Sequence, residues 1–170
     1  VETNVTMVER DSLSYTAANR VYQNGDYARA LTLMDNYLRQ YPKGSFRIEA
    51  LYALGDCSLR EGNRAGALAA FEEVGSMPMS EYKVPALQQA AKMQVEDKHY
   101  PQAAALYKTL STVAIKSADI ASALGGYLSA VIATGNVAEM GRAADEVLAS
   151  PYVTADLTRE ANFAKARALQ

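Results

Sequence analysis

The sequence predicts an all-α solenoid of about four helical hairpins followed by a C-terminal helix. The main observation behind this prediction is a short phrase that recurs along the chain. Its copies begin at Gly25, Gly62, Lys98 and Gly135, at intervals of 37, 36 and 37 residues. A nearly constant period of about 20 to 50 residues is typical of stacked supersecondary units.

The apolar residues on both sides of each phrase have helical spacing. Leu13, Ala17 and Val21 precede the first copy, and Ala30 and Met34 follow it. Apolar residues three or four positions apart lie along one side of a helix. Each phrase is therefore predicted to be the turn of a helical hairpin.

The residues of the phrase suit a turn between two helices. A glycine such as Gly25 adopts a positive φ without steric cost and can end the first helix. Asn or Asp follows it in three of the four copies, and its side chain can cap the second helix by accepting a backbone N–H.

A small residue in the first helix of each hairpin indicates a close approach between helices. Ala18, Gly55 and Ala91 hold this place, whereas the fourth copy has Leu128, with Gly125 and Gly126 one turn earlier. Residues 159–167 align without gaps on residues 48–56, at an offset of 111. The first helix of a fifth unit is therefore predicted at the C-terminus.

These markers resemble those of the tetratricopeptide repeat family. The resemblance lies in the small residue of the first helix (helix A), in the Gly-Asp-Tyr-x-x-Ala turn, and in Pro42, which closes the first unit. It also includes an aromatic or apolar residue in the second helix (helix B) at Met34, Phe71 and Tyr107. The resemblance implies a right-handed α-α superhelix.

The resemblance covers the chain from Asp11 onward and divides it into units. They are 11–43, 46–79, 83–115 and a degenerate fourth unit at 117–150, followed by 154–170 as helix A of a fifth unit or as a capping helix. Residues 1–10 are predicted to be an N-terminal linker or the tail of a preceding repeat. All units are predicted to form one solenoid domain.

In this family the A helices line a concave groove, so the resemblance implies a non-catalytic scaffold that binds a partner protein or peptide. The predicted groove residues, carried over by register, are Tyr15, Asn19, Tyr22, Gln23, Tyr52, Asp56, Leu59, Arg60, Gln88, Lys92, Ser129 and Arg167. Val95, Ile132 and Phe163 belong to the same helix faces. For Tyr15, Tyr52 and Phe163, packing between adjacent A helices remains an alternative.

A structural spacer, or a module that self-associates through its ends, is the alternative function. The chain is expected to be a fragment of a longer repeat protein, because it stops midway through the fifth unit. The apolar side of the last helix would then be open, at Ala161, Phe163, Ala164, Ala168 and Leu169.

The compartment is not determined by the sequence. The segments 38–45 and 50–56 resemble repeats of bacterial cell-envelope proteins of the Tol-Pal-associated and outer-membrane-assembly lipoprotein type. This resemblance favours a periplasmic or envelope-associated location, and a cytoplasmic location stays open.

Composition argues against other function classes. The 170 residues carry a net charge of −2, without the clustered basic residues that nucleic-acid binding requires. No run of 18 apolar residues is present, so direct membrane insertion is not expected. Cys57 is the only cysteine and His99 is the only histidine, and the sequence contains no catalytic or phosphate-binding motif. The sequence therefore predicts no enzyme activity, no catalytic residues, no cofactor and no metal.

Overall fold

The structure, a computed structural model, describes residues 4–170. Within them the chain forms nine α-helices and no strand, which confirms the predicted all-α fold of hairpins followed by a C-terminal helix. The helices are α1 (Asn4–Gln23), α2 (Tyr27–Gln40), α3 (Arg47–Arg60), α4 (Arg64–Ser76), α5 (Lys83–Glu96), α6 (Tyr100–Val113), α7 (Ser117–Thr134), α8 (Val137–Leu148) and α9 (Ala155–Ala168).

The chain divides into two compact units, Val1–Ala86 and Leu87–Gln170, and the division falls within α5. In the first unit, α1 to α4 pack consecutively, and α1 also packs against α3. In the second unit, α6 to α9 pack consecutively, and α7 also packs against α9. Inside each unit, helices that are neighbours in sequence are therefore neighbours in space, as stacked hairpins require.

The first helix extends beyond the predicted first repeat. Residues 1–3 of the expected linker or preceding tail lie outside the described residues, and α1 runs without interruption from Asn4 through Asp11. Residues 4–10 are therefore the first turns of α1.

The turns have the predicted backbone conformation. Gly25, Gly62 and Gly135 have φ values of 83°, 83° and 75°. In the third hairpin, Lys98 takes the same place with a φ of 60°. The left-handed conformation thus ends the first helix of all four hairpins.

In three of the four B helices, a side chain caps the N-terminus. Asp26 Oδ1 accepts from the backbone N–H of Arg29 at 3.3 Å, and Asn63 Oδ1 accepts from Gly66 at 3.0 Å. Asn136 caps α8 in the same way. His99, at the corresponding position before α6, makes no cap bond; its Nδ1 instead lies 2.9 Å from Gln94 Oε1.

The core of the first unit contains a close contact that depends on glycine. A Cβ added to Gly55 on α3 would lie 2.9 Å from Cε1 of Phe71 on α4, nearer than real Cβ atoms approach. The predicted close approach at Gly55 is therefore confirmed. Cys57, two residues later, is fully buried, and burial, with a smaller effect from Asp56, raises the pKa of its thiol to about 11.

Candidate partner-binding surfaces

The predicted groove residues all keep some exposed surface. Gln23, Arg60, Lys92, Ser129 and Arg167 are exposed, and the others are half-buried. Eight of the twelve lie on α1 and α3 in the first unit. The second unit contains the remaining four: Gln88 and Lys92 on α5, Ser129 on α7 and Arg167 on α9.

A polar network joins three helices of the first unit. The Tyr22 hydroxyl donates to Asp56 Oδ2 at 2.6 Å, and Arg60 Nε donates to Asp56 Oδ1 at 3.1 Å. The Arg60 guanidinium also lies 4.4 Å from the ring centroid of Tyr27 on α2. Burial and the bond to Asp56 raise the pKa of Tyr22 well above its usual value. Three predicted groove residues therefore already hold the helices of this unit together.

The aromatic residues of the same surface are also packed. Tyr15 stacks on Phe46 with 4.4 Å between ring centroids and an interplanar angle of 3°. Tyr52 meets Phe71 edge-on at 5.6 Å and Tyr82 at 5.0 Å. Both predicted tyrosines thus pack against neighbouring elements, and each remains half-buried.

A buried pair that sequence reasoning missed secures the α2–α3 loop. Asp11 is 7% exposed and accepts a hydrogen bond from the Tyr37 hydroxyl. Its second oxygen accepts from the backbone N–H of Ser45 at 2.8 Å, and Phe46 N–H donates to the Tyr37 oxygen at 3.1 Å. The pair positions Phe46, on which Tyr15 stacks. No local sequence pattern predicts the hydrogen bond between Asp11 and Tyr37, because the two residues are 26 positions apart.

Glu49 is a second residue of this surface that sequence reasoning missed. Its Oε2 is buried and has no hydrogen-bond partner among the described residues. It lies on α3 three residues before Tyr52, so the two share a helix face. Burial raises the pKa of the Tyr15 hydroxyl, and the charge of Glu49 adds to the effect. The signal available in the sequence was the spacing of Glu49 to Tyr52 and Asp56.

A cleft lies between α7 and α9 in the second unit. This α7–α9 cleft has a volume of about 380 Å³ and is lined by Ser129, Ile132, Arg159, Glu160 and Phe163. Its walls are mostly apolar. One predicted groove residue, Ser129, therefore lies in the same cleft as Ile132 and Phe163 from the predicted helix faces.

Phe163 is the aromatic residue of the α7–α9 cleft. Phe163 is 57% exposed, and it lies in the cleft between α7 and α9. The Arg167 guanidinium lies 6.0 Å from its ring centroid. The cleft therefore presents an accessible aromatic ring beside a positive charge.

The apolar side of α9 is only partly open. Ala161 and Ala164 are fully buried, so the expectation that they are open is wrong. They are covered because α9 packs against α8 and α7. Phe163 and Leu169 are exposed, Leu169 to 88%.

No described helix combines the length and the apolar composition that crossing a bilayer requires.

Comparison with known proteins finds the predicted family in two segments of the first unit. Residues 11–44 and 49–76 match the tetratricopeptide repeat model. A tetratricopeptide repeat protein from Parabacteroides merdae is 18% identical, with a TM-score of 0.61 over 94% of this chain and 59% of that chain. The chain thus spans 59% of that protein's length.

A second solved structure shares the fold. The nearly identical TPR-like repeats of a putative kinesin light chain from Podosopora anserina are 17% identical, with a TM-score of 0.53 over 95% of this chain and 91% of that chain. Identities this low show the fold alone. No curated protein matches this sequence. The likeness to bacterial cell-envelope proteins stays a prediction.

Proposed function

Because this chain carries tetratricopeptide repeats, we propose that it is a non-catalytic scaffold that binds an extended or helical segment of a partner protein on its A-helix surfaces. Proteins of this repeat family generally mediate protein–protein interaction. The observation that carries the proposal is the α7–α9 cleft, where Ser129 and Phe163 from two A helices face a common space.

The lining of the α7–α9 cleft fits an apolar anchor residue of a partner. Ile132 and the exposed Phe163 ring supply apolar surface, and Arg159 and Glu160 supply a charged rim. Aromatic and arginine side chains contribute most of the free energy at many protein interfaces. An amphipathic helix or extended segment that inserts one apolar side chain between α7 and α9 satisfies this arrangement.

A peptide selection tests the proposal. A random peptide library is displayed on phage and selected on the immobilised chain, and the dissociation constants of enriched peptides are measured by fluorescence anisotropy. Phe163→Ala is expected to weaken binding by about tenfold or more, as loss of an aromatic anchor does. Its folding should be unaffected, because the ring is 57% exposed.

Tyr152→Ala is the matched control for this experiment. Tyr152 is an exposed aromatic residue, 43% accessible, in the turn before α9 and outside the cleft lining. It should leave the dissociation constants unchanged. Failure to enrich any peptide, or equal losses from both variants, would contradict the proposal.

Tyr22 and Tyr52 are less suitable probes of binding than the sequence suggested. The sequence predicts that their truncation abolishes partner binding without lowering the melting temperature. In the structure Tyr22 donates to Asp56, and Tyr52 packs on Phe71 and Tyr82. Truncating either residue should therefore also lower stability.

Self-association through the C-terminal helix is the alternative function. Phe163 on α9 and Leu169 directly after α9 favour it, because both are exposed and apolar side chains open to solvent can pack against another chain. In that case, light scattering should show a mass that rises with protein concentration and falls to the monomer value in Leu169→Gln. A constant monomer mass would leave the scaffold as the remaining function.

A further inference from the structure

The α7–α9 cleft combines an open apolar space with an exposed aromatic ring. Its volume is about 380 Å³, and Ile132 and Phe163 supply apolar surface to it. The Phe163 side chain is 57% exposed. Apolar groups gain free energy when they leave water and pack together. The cleft can therefore receive an aromatic side chain, and α9 itself presents one.

Three residues of α9 form a stripe along this surface. Glu160, Phe163 and Arg167 are spaced by three and four residues, so they share one helix face. All three are exposed, and the Arg167 guanidinium lies 6.0 Å from the Phe163 ring centroid. This α9 stripe therefore has a negative charge before the aromatic ring and a positive charge after it.

The other charges of α9 are paired within the chain. Arg159 pairs with Asp156 on the same helix, and Lys165 Nζ lies 3.0 Å from Asp145 Oδ1 on α8. Neither Glu160 nor Arg167 belongs to an ion pair within residues 4–170. Both side chains are thus available to pair with another molecule.

The α9 stripe is complementary to itself when two copies meet in an antiparallel orientation. A two-fold axis beside Phe163 brings Glu160 of each copy opposite Arg167 of the other, because these residues lie three positions before and four positions after Phe163. The two Phe163 rings meet near the axis, where edge-on or offset packing is favourable. A parallel orientation would instead place like charges opposite each other.

We propose that a second copy of this chain occupies the α7–α9 cleft through an antiparallel contact between the two α9 helices, with its Phe163 ring in the cleft. The same cleft is the proposed site for a partner segment, so the second copy masks that site. The masking rests on the proposed function, whereas the contact itself does not. One helix from each copy forms a small contact compared with the roughly 1,600 Å² of a standard interface, so the dimer is weak and concentration-dependent.

This contact differs from association through the end of the chain. Leu169 follows Phe163 by six residues, about 240° further round a helix of 3.6 residues per turn. It therefore lies off the α9 stripe. Leu169→Gln should leave the antiparallel dimer intact, whereas it should abolish association through the end of α9. Loss of the dimer in Leu169→Gln would overturn the inference.

The main test is sedimentation equilibrium of the full chain over a range of protein concentrations. We expect the mass to rise from one chain to two and no further. Glu160→Lys and Arg167→Glu should each weaken the dimer by at least about tenfold, because each variant places two pairs of like charges across the axis. An equimolar mixture of the two variants should recover the dimer, since opposite charges then meet on both sides of the axis.

Recovery in the mixture cannot result from misfolding of either variant. A constant monomer mass for the parent chain, or variants that stay monomeric when mixed, would overturn the inference. Arg142→Glu is the matched control, because it makes the same charge change as Arg167→Glu at an exposed residue of α8 outside the cleft lining. It should leave the dimer unchanged, and a loss equal to that of Arg167→Glu would show that net charge, not the α9 stripe, governs association.

The outcomes separate this inference from the proposed function. A saturating phage-selected peptide should lower the mass of the dimer to that of one chain, and peptide binding that leaves the dimer intact would overturn the masking. If peptides bind through Phe163 while the parent chain stays monomeric, the scaffold stands and the dimer is wrong. If the mixed variants recover the dimer but no peptide is enriched, the dimer stands and the partner-binding proposal is wrong.

Discussion

At the scale of single residues, Lys98 holds a backbone conformation that glycine holds in the other three hairpin turns. Its φ is 60°, and the corresponding glycines have φ values of 83°, 83° and 75°. A side chain with a Cβ in this left-handed region costs roughly 1 kcal/mol. The turn between α5 and α6 is therefore more strained than the others.

Lys98→Gly should stabilise the protein. The expected gain in the free energy of unfolding is about 0.5 kcal/mol, because relief of the left-handed strain exceeds the extra backbone entropy that glycine brings to the unfolded chain. Urea denaturation measures it. Lys98→Ala is the control, since it removes the charge and keeps the Cβ; an equal gain from both variants would show that backbone strain is not the cause.

Residues whose role is local could be predicted from the sequence, whereas residues whose role depends on tertiary contacts could not. The positive φ of Gly25 and the cap formed by Asp26 follow from chemistry within a few residues. The Asp11 hydrogen bond to Tyr37 joins residues from two helices. The burial of Glu49 Oε2 is likewise a feature of the folded chain that the local sequence does not indicate.

At the scale of helices, α6 and α7 approach each other closely at a glycine. A Cβ added to Gly126 would lie 2.6 Å from Cε1 of Tyr107. The sequence predicts that a small residue in helix A allows a close approach between helices. The contact of Gly55 on α3 with Phe71 on α4 confirms this within one hairpin. At Gly126 the neighbouring ring belongs to the preceding hairpin, a contact that the repeat register alone does not specify.

Gly126→Ala should therefore destabilise the second unit. We expect a loss of about 1–3 kcal/mol in the free energy of unfolding, because the tyrosine ring must shift to admit the methyl group. Gly141→Ala in α8 is the matched control. Its added Cβ would lie 3.7 Å from that of Ala168, an ordinary contact, and it should stabilise the helix by about 0.5–1 kcal/mol. Denaturant unfolding of both variants measures the difference, and the same sign for both would contradict this account of the α6–α7 contact.

At the scale of the whole molecule, the repeat period predicts the order of helices but not the division into two compact units. The same interval of 36 or 37 residues continues through the chain, so no change in pattern marks the boundary at Ala86 and Leu87. The division reflects which contacts form between helices. Those contacts depend on individual side chains rather than on the spacing of the turns.

Tyrosines in both units are held in the neutral form. Burial is the first cause of the raised pKa at Tyr22, Tyr37 and Tyr127, and bonds to Asp56, Asp11 and Glu146 respectively add to it. Burial alone raises the pKa of Tyr107. In the unfolded chain these hydroxyls titrate near 10. Between that value and their raised pKa, the folded chain binds more protons than the unfolded chain.

The protein should therefore lose stability in alkaline solution. Because the folded state holds more protons, the free energy of unfolding falls as the pH rises above about 10, and the tyrosine contribution is fully present below that pH. Denaturant unfolding over a pH series measures the loss, and tyrosinate absorbance should appear at higher pH in the folded protein than in urea. Tyr107→Phe should make the free energy of unfolding depend less steeply on pH, by the equivalent of up to one bound proton. The reason is that burial alone raises the pKa of Tyr107. Identical titration curves with and without urea would contradict this explanation, because they would mean that folding does not protect the tyrosine protons.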